Sequence, residues 1–507
     1  MSKIDALLIT PPSRLEVYQK ELANKYAAIE PPVWSSLIAK YLIKLNYNVK
    51  ILDAEADFLT HKQTAEKIVK EDPVLAIFMV YGQQPSASTQ CMPASNKVCK
   101  IVNELSNNEI KTIVVGTHAS ALPKLTIEND PYNFVCQGEG PITIDKLIKN
   151  LKFSKPKLNE IEGLWFKDKT TGNVVGNKRS TMFEDLDNNL PGQAWELLDM
   201  SKYKAHNWHT FHDLKSRNKY ASLQTSLGCP FKCSFCCINA PFERNAIRFW
   251  SPKHIIKELE YLIENHGIYN IKIPDEMFVL SPKQVNGICD EILKRGFGDK
   301  LNFWAYARID TLNNDEMLTK MYKSGFKWLG IGIESSSKHV RDGVTKGRFA
   351  NYDIEKIVKK VKDIGFYVGA NYIFGLPDDD ENSMRETLDM ALNINSEWSN
   401  FYSAMAYPGS QLYPMAKQNK WQLPDDPGGP GWIGYSQHGY DSLPLRTQKI
   451  KASKVLDFRD KAFDEYFKGA KYLSMIKSTF GEETKKHIEE MTQYKIKRRH
   501  HDQAVDY

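Results

Sequence analysis

Short apolar runs alternate with segments of helical periodicity through most of this chain, and that alternation restricts the fold more than any single residue does. Residues 5–10 (DALLIT) are apolar and end at Pro11-Pro12, a strand followed by a loop. Residues 34–45 carry apolar side chains at helical spacing, residues 49–52 read as a second strand and residues 74–80 as a third. The third is apolar throughout, as expected of a strand buried on both faces. Residues 96–105 read as a helix, 112–115 run into Gly116, and 134–136 run into Gly138-Glu139-Gly140. These β/α units predict an α/β domain over residues 1–150, an open parallel sheet with helices on both faces. Its ligand is expected at the carboxyl ends of the strands, in the loops at 10–13, 81–88, 116–121 and 137–141.

Residues 151–215 are polar and rich in turn residues, as in Lys169-Thr170-Thr171-Gly172-Asn173, and read as a connector with a small hairpin. A second β/α series fills residues 216–410. Strands are expected at 222–226, 271–273, 301–307, 328–333, 367–374 and 398–404, with helices between them. Polar residues close these strands, which predicts a full or partial (β/α) barrel with its site at the strand ends. Residues 411–507 open with a Pro/Gly/Trp-rich stretch and continue into helices at 453–467 and 482–494. The basic patch Lys495-Ile496-Lys497-Arg498-Arg499 near the end reads as a solvated tail.

The 507 residues carry a net charge of only +6, which argues against a dedicated nucleic-acid binder and suits an anionic small-molecule substrate. With 42% hydrophobic and 26% charged residues, disorder throughout is excluded. No apolar run approaches the ~18 residues of a membrane span. The start of the chain lacks the h-region and cleavage site of a signal peptide, so a cytoplasmic protein is expected.

Four of the eight cysteines crowd into Gly228-Cys229-Pro230-Phe231-Lys232-Cys233-Ser234-Phe235-Cys236-Cys237. In a reducing compartment such clustering points to a metal site. Cys-x3-Cys-x2-Cys on one loop can supply a thiolate to each of three irons of a [4Fe–4S] cube, leaving the fourth iron open. Cys237 is a fourth ligand in principle, but neighbours in extended chain face opposite ways. A structural zinc site and a fully ligated electron-transfer cluster are the alternatives, although zinc more often uses two separated pairs.

Cys-x3-Cys-x-aromatic-Cys after the first strand of a β/α barrel resembles the radical S-adenosylmethionine (SAM) superfamily. The resemblance implies that Cys229, Cys233 and Cys236 hold the cluster, that the open iron chelates SAM, and that reductive cleavage gives a 5′-deoxyadenosyl radical. It implies that Phe235 packs beside the adenine or the cluster. It implies SAM contacts from Asp275 and Glu276 after the second strand, Arg308 at the end of the third, and Glu334-Ser335 after Gly330-Ile331-Gly332-Ile333. The glycines there and at 369–375 would let the backbone approach the nucleoside.

An open sheet ahead of such a core resembles the cobalamin-binding domain of class B, B12-dependent radical SAM enzymes. Val115–Pro123, with Gly116, Thr117 and His118, looks like that family's loop after the fourth strand, and Gln137, Gly138, Glu139 and Gly140 like the loop after the fifth. Glu30-Pro31-Pro32 before a helix fits as well. Thr10, Ser86 and Ser88 are further cobalamin-contact candidates. The Asp-x-His-x-x-Gly signature that supplies a cobalt-ligating histidine elsewhere is absent. The resemblance implies a [4Fe–4S] cluster, SAM and cobalamin as cofactors, an external electron donor, and methylation of an unactivated carbon. A non-methylating cyclase or rearrangement enzyme, and a non-catalytic cofactor carrier, are the alternatives.

Overall fold

The protein, a computed structural model, is described over residues 3–81, 85–153, 156–346 and 352–503. The first sheet has seven strands: β1 (Ala6–Thr10), β2 (Val49–Asp53), β3 (Leu75–Met79), β4 (Lys111–Val115), β5 (Phe134–Cys136), β6 (Leu164–Lys167) and β7 (Val174–Gly176). Their order is β2-β1-β3-β4-β5-β6-β7. The first five are parallel, as the alternation requires. The connector's hairpin, β6 and β7, does not stand apart: it pairs antiparallel with β5 and lengthens the sheet. All five residues of β3 are buried.

The second sheet is a half-barrel, so the partial form of the expected barrel is the one adopted. Its strands are β8 (Tyr220–Ser222), β11 (Asn270–Lys272), β12 (Asn302–Arg308), β13 (Phe326–Glu334), β14 (Tyr367–Phe374) and β15 (Trp398–Ser403), all parallel and paired in that order. The short strands β9 (Ser226–Leu227) and β10 (Arg248–Phe249) pair antiparallel and pinch off the cysteine loop between them. The helices between strands start and stop where local chemistry says they should. Ser251 caps the helix Pro252–His266 by accepting from His254 N, Pro252 takes the first position, and Gly267 ends it at φ 60°. Asp353 and Gly365 do the same for Ile354–Ile364.

A floor of tryptophans seals the half-barrel at the start of its strands. Trp208, from the connector, packs on Trp304 at 4.1 Å and Trp328 at 5.4 Å between ring centroids. The glycines expected to approach a nucleoside have another task here. A Cβ on Gly330 would collide with the Trp304 ring, and so would one on Gly369. Only glycine lets those strands pass the indole.

The C-terminal region is helical, over Ala452–Phe467, Ala470–Phe480 and Glu482–Met491. The first helix covers the open edge of β15, where Arg459 Nε donates to the Phe401 carbonyl (2.9 Å). In the basic patch Lys495 and Lys497 are exposed, as a solvated segment would have them, but Arg498 is not. Arg498 is buried, is held by Asp460 (2.9 and 3.0 Å), and donates to the Gln437 and Gly439 carbonyls. A buried guanidinium is tolerable because carboxylate and carbonyls replace its lost water. Among the described residues no helix is long and apolar enough to cross a membrane.

Candidate functional site

The loop between β9 and β10 brings Cys229, Cys233 and Cys236 to the wall of a cavity of about 250 Å³ at the strand ends. All three are free and half-buried, and their charges act on one another. Burial pushes the Cys229 thiol up to about 11 and Cys236 well above its ordinary value. Thiolates there therefore require a bound cation, as an iron centre supplies. Asn239 braces the loop: its Oδ1 accepts from Cys229 N (3.1 Å) and its Nδ2 donates to Cys229 O (2.7 Å). Cys237 is buried in an apolar cluster with Met405 and Tyr407, and Gly409 packs on its Cβ. Three neighbouring thiols on one cavity, with the adjacent thiol in a different cluster, fit a cube with one open iron.

The residues expected around SAM separate into two groups. Asp275 is saturated: it accepts from Thr225 N (2.7 Å), Thr225 Oγ1 (2.5 Å) and Ser226 Oγ (2.5 Å). It ties β9 to the end of β11. Burial lifts its carboxyl to about 6, with the hydroxyl donors of Ser226 and Thr225 opposing. Ser335 is fully buried and caps the next turn, accepting from Ser337 N at 3.2 Å. Arg308 is engaged by Asp310 through Nε (2.9 Å) and Nη2 (3.2 Å), with Nη1 3.6 Å from Cys233 Sγ. Its guanidinium also lies 3.8 Å over the Phe231 ring.

Glu276 is different. Its Oε2 is buried with no hydrogen-bond partner among the described residues. Burial, with Asp275 adding repulsion, lifts its carboxyl to about 8. A buried acceptor left unpaired is costly unless a ligand completes it. Glu334, at φ 67°, is paired with the buried Lys346 (2.5 Å). Phe235 lies 6.0 Å from that same Lys346 Nζ. Sequence reasoning missed Lys346, Phe231 and Asn239, because nothing local marks them as neighbours of the cysteines.

At the other sheet, the candidate cobalamin residues gather at the carboxyl ends of β1, β3, β4 and β5. Thr10 lines a cavity of about 230 Å³ together with Tyr81 and Trp34, whose rings stack at 4.3 Å. Thr10 Oγ1 is buried and has no partner among the described residues. His118 is buried, with Nδ1 3.3 Å from Thr89 Oγ1 and its ring edge-on to Trp432 at 4.5 Å. Its Nε2 has no partner among the described residues. Burial lowers it to about 4, so the ring is neutral at pH 7. Gly116 permits the close approach of Val80, and Thr117 is buried beside it.

Gln137 accepts from Trp165 Nε1 (3.0 Å), so the hairpin takes its side chain. Gly138, at φ 131°, accepts from Tyr81 OH (3.1 Å), and Gly140 sits at φ 112°. Glu139 is buried and ion-paired with Arg248 of β10, across the junction of the two sheets. Ser88 holds His118 N (2.9 Å), whereas the Ser86 side chain lies outside the described residues.

A further cavity, of about 540 Å³, is lined by the segment 18–27, by half-barrel strands and by the C-terminal region. It shares Tyr18, His206 and Lys272 with the cavity at Thr10, so the two spaces adjoin. Lys272 of β11 pairs with Glu30 (2.9 Å), and His206 lies 3.3 Å from the same oxygen. Burial opposes ionisation of Glu30, yet Lys272 and His206 hold its carboxyl down to about 2. Thus the stretch 206–209 does two things: Trp208 and His209 are packed under the half-barrel, and His206, Asn207 and Trp208 line the cavity.

Residues 223–391 match the Radical SAM superfamily, and residues 20–148 match the B12 binding domain family. The chain is a B12-binding radical SAM protein. An uncharacterized methyltransferase of Pyrococcus horikoshii is 27% identical over 83% of this chain and 84% of its own length. An anaerobic magnesium-protoporphyrin IX monomethyl ester cyclase of Cereibacter sphaeroides is 23% identical over 76% of this chain and 60% of its own length.

Two solved structures share the fold. The cobalamin-dependent SAM radical enzyme OxsB superposes with a TM-score of 0.71 at 17% identity, over 97% of this chain and 71% of OxsB. The radical SAM methyltransferase TsrM of Kitasatospora setae gives 0.67 at 15% identity, over 92% of this chain and 89% of TsrM. The cofactors of this radical SAM protein are accordingly a [4Fe–4S] cluster, SAM and cobalamin.

Proposed function

We propose that this protein is a cobalamin-dependent radical SAM C-methyltransferase acting on a small molecule in the cytoplasm. The observation that supports this most is the adjoining pair of cavities. One opens on the strand ends of the B12-binding sheet, the other on the half-barrel, and Tyr18, His206 and Lys272 border both. When bound, cluster and SAM supply a carbon-centred radical, and cobalamin supplies a transferable methyl group. The protein's own part is to hold these groups and a substrate carbon in line and to keep water out.

Cys229, Cys233 and Cys236 hold the cluster. Glu276 Oε2, the unpaired buried acceptor, receives the SAM ammonium. Arg308 and Lys346 keep positive charge beside the anionic cluster. Thr10 lines the cobalamin side, Gly138 and Gly140 shape the loop beside it, and neutral His118, with a single N–H, keeps its Nε2 for that side. The substrate occupies the 540 Å³ cavity, of whose 27 lining residues ten are Phe, Trp or Tyr. The hydroxyls of Tyr18, Tyr306 and Tyr402, which line it, carry no hydrogen bond among the described residues. A largely apolar substrate with an oxygen at that trio fits the cavity. Of the cationic groups that line it, Lys272 is paired by Glu30, Arg459 by Asp460 and Lys495 by Asp464, while Lys461 has no ion pair among the described residues.

The deciding experiment is anaerobic reconstitution with iron, sulfide and hydroxocobalamin, followed by turnover with SAM labelled in its methyl group. Label in the product supports methyl transfer. A cobalt content near zero removes it. Labelled SAM consumed with an unlabelled, rearranged product favours the cyclase reading, which the Cereibacter relative makes the natural second choice.

Glu276 gives an independent check. Its carboxyl is protonated below about 8 in the free protein, and pairing with an ammonium requires it ionised. SAM binding then releases a proton below that pH. Affinity is expected to rise up to about tenfold per pH unit on the acid side of about pH 7.5 and to fall again well above about pH 8, where an α-amino group loses its own proton. In Glu276→Gln the slope disappears and affinity at pH 8 falls roughly 10-fold or more, the cost of a charge-assisted hydrogen bond. Equilibrium dialysis of SAM measures both. An unchanged slope in the variant would show that Glu276 does not face the ammonium.

A further inference from the structure

Part of the rim of the 540 Å³ cavity is built by the C-terminal segment. Asp457, on the helix Ala452–Phe467, and His501 both line it. His500 and His501 are neighbours in the short helix Arg499–Asp502, yet both ring tips meet one carboxylate oxygen. His500 Nε2 lies 2.8 Å and His501 Nε2 2.9 Å from Asp457 Oδ1. The three donor atoms all lie within 4.8 Å of one another. The His500 side chain is only 7% exposed, so its position is set by packing.

We propose that Asp457, His500 and His501 form a binding site for a divalent ion of the zinc or nickel class, separate from the cysteine loop. Three features carry this. First, two imidazoles and a carboxylate are the ligand set that borderline divalent ions prefer. Second, ligands at ~2.1 Å from such an ion stand roughly 3 Å apart at a right angle and roughly 3.4 Å apart at the tetrahedral angle, so the N–O separations of 2.8 and 2.9 Å need open by only a few tenths of an ångström to admit one. Third, a purely hydrogen-bonded clasp would do better to spread two donors over two carboxylate oxygens. Here both converge on Oδ1, while Oδ2 has no hydrogen bond among the described residues. Three protein ligands leave coordination positions open. Because Asp457 and His501 border the cavity, an open position can take an oxygen of the cavity's occupant. The ion would then anchor that molecule at the C-terminal rim. The charges around the site are already balanced: Asp460 pairs Arg459 and Arg498, and Asp441 pairs Arg499.

The test uses the full chain with its iron–sulfur centre reconstituted, so that the cysteines are occupied, and then washed with chelator. Zinc titration by equilibrium dialysis with metal analysis is expected to give one equivalent beyond the iron centre. Zinc displaces stray ferrous ion at imidazole ligands by the usual stability order. His501→Gln and Asp457→Asn are each expected to weaken that equivalent at least tenfold. Cobalt(II) in place of zinc should show visible absorption that both variants lose. His501 is 53% exposed, so its substitution leaves the fold intact and decides the matter if Asp457→Asn proves unstable. No zinc beyond the iron centre, or zinc bound equally by His501→Gln, overturns the proposal and leaves a hydrogen-bonded clasp. The outcome is independent of whether the enzyme transfers methyl groups.

Discussion

Cys233→Ala protein, reconstituted with iron and sulfide, is expected to lose iron and to form no 5′-deoxyadenosine from SAM above background. The loss should be at least roughly 10³-fold, beyond the 10–100-fold that outer-shell changes around a metal cost. The reason is ligand count. The loop from β9 to β10 offers three thiols to one cavity, and the next thiol along, Cys237, is buried among Met405 and Tyr407. No neighbour stands ready to replace Cys233. Arg308 Nη1, 3.6 Å from that sulfur, would face a cavity instead of a thiolate. Cys237→Ala is the control and should keep its iron and its SAM cleavage. Iron analysis and product chromatography measure both. Cleavage retained in Cys233→Ala, or abolished in Cys237→Ala with iron lost, would mean that the ligand set is misassigned.

Arg248→Ala is expected to be the most damaging substitution for stability, at about 3–5 kcal/mol, because it strands Glu139. Both partners are buried, Glu139 at 7% and Arg248 at 7% residual exposure. Arg248 Nη1 is 3.2 Å from Glu139 Oε2 and donates to the Phe183 carbonyl at 2.6 Å. Burial already raises the Glu139 carboxyl, with Arg248 opposing. Without the guanidinium that carboxyl rises further and holds a proton that the unfolded chain releases. The defect is therefore smaller near pH 5, where protonation is easy, and larger near pH 8. A double change to apolar residues, Glu139→Leu with Arg248→Met, should recover most of the loss, since an apolar pair of similar volume replaces a buried ion pair at little cost. Denaturant unfolding followed by tryptophan fluorescence at the two pH values reads these differences. A loss under 1 kcal/mol in Arg248→Ala would show that the junction between the sheets does not depend on this pair.

The parts of this architecture that sequence reasoning reaches are those written in neighbouring residues. Strands buried on both faces must be apolar along their length, as β3 is, so five parallel units in the first domain and six in the second stand out. The cysteine loop is legible for the same reason: the three thiols that share one cavity fall within eight positions, Cys229 to Cys236. The hairpin is less legible. Its turn residues announce β6 and β7, but only the free edge of β5 makes them part of the sheet. The basic patch misleads because composition cannot show that Asp460 and two carbonyls wait for Arg498.

What the chain's local chemistry determines by itself is the order of strands and helices, the caps that end them, and the presence of a thiol-rich loop at a strand end. Tertiary structure decides which polar groups are completed and which are left open. Asp275 is consumed by Thr225 and Ser226 while adjacent Glu276 is not. Glu139 meets Arg248 across 109 residues, and Glu30 meets Lys272 across 242. Burial makes an unpaired polar atom expensive, so its partner is selected by proximity in space, and spacing along the chain carries no record of that choice.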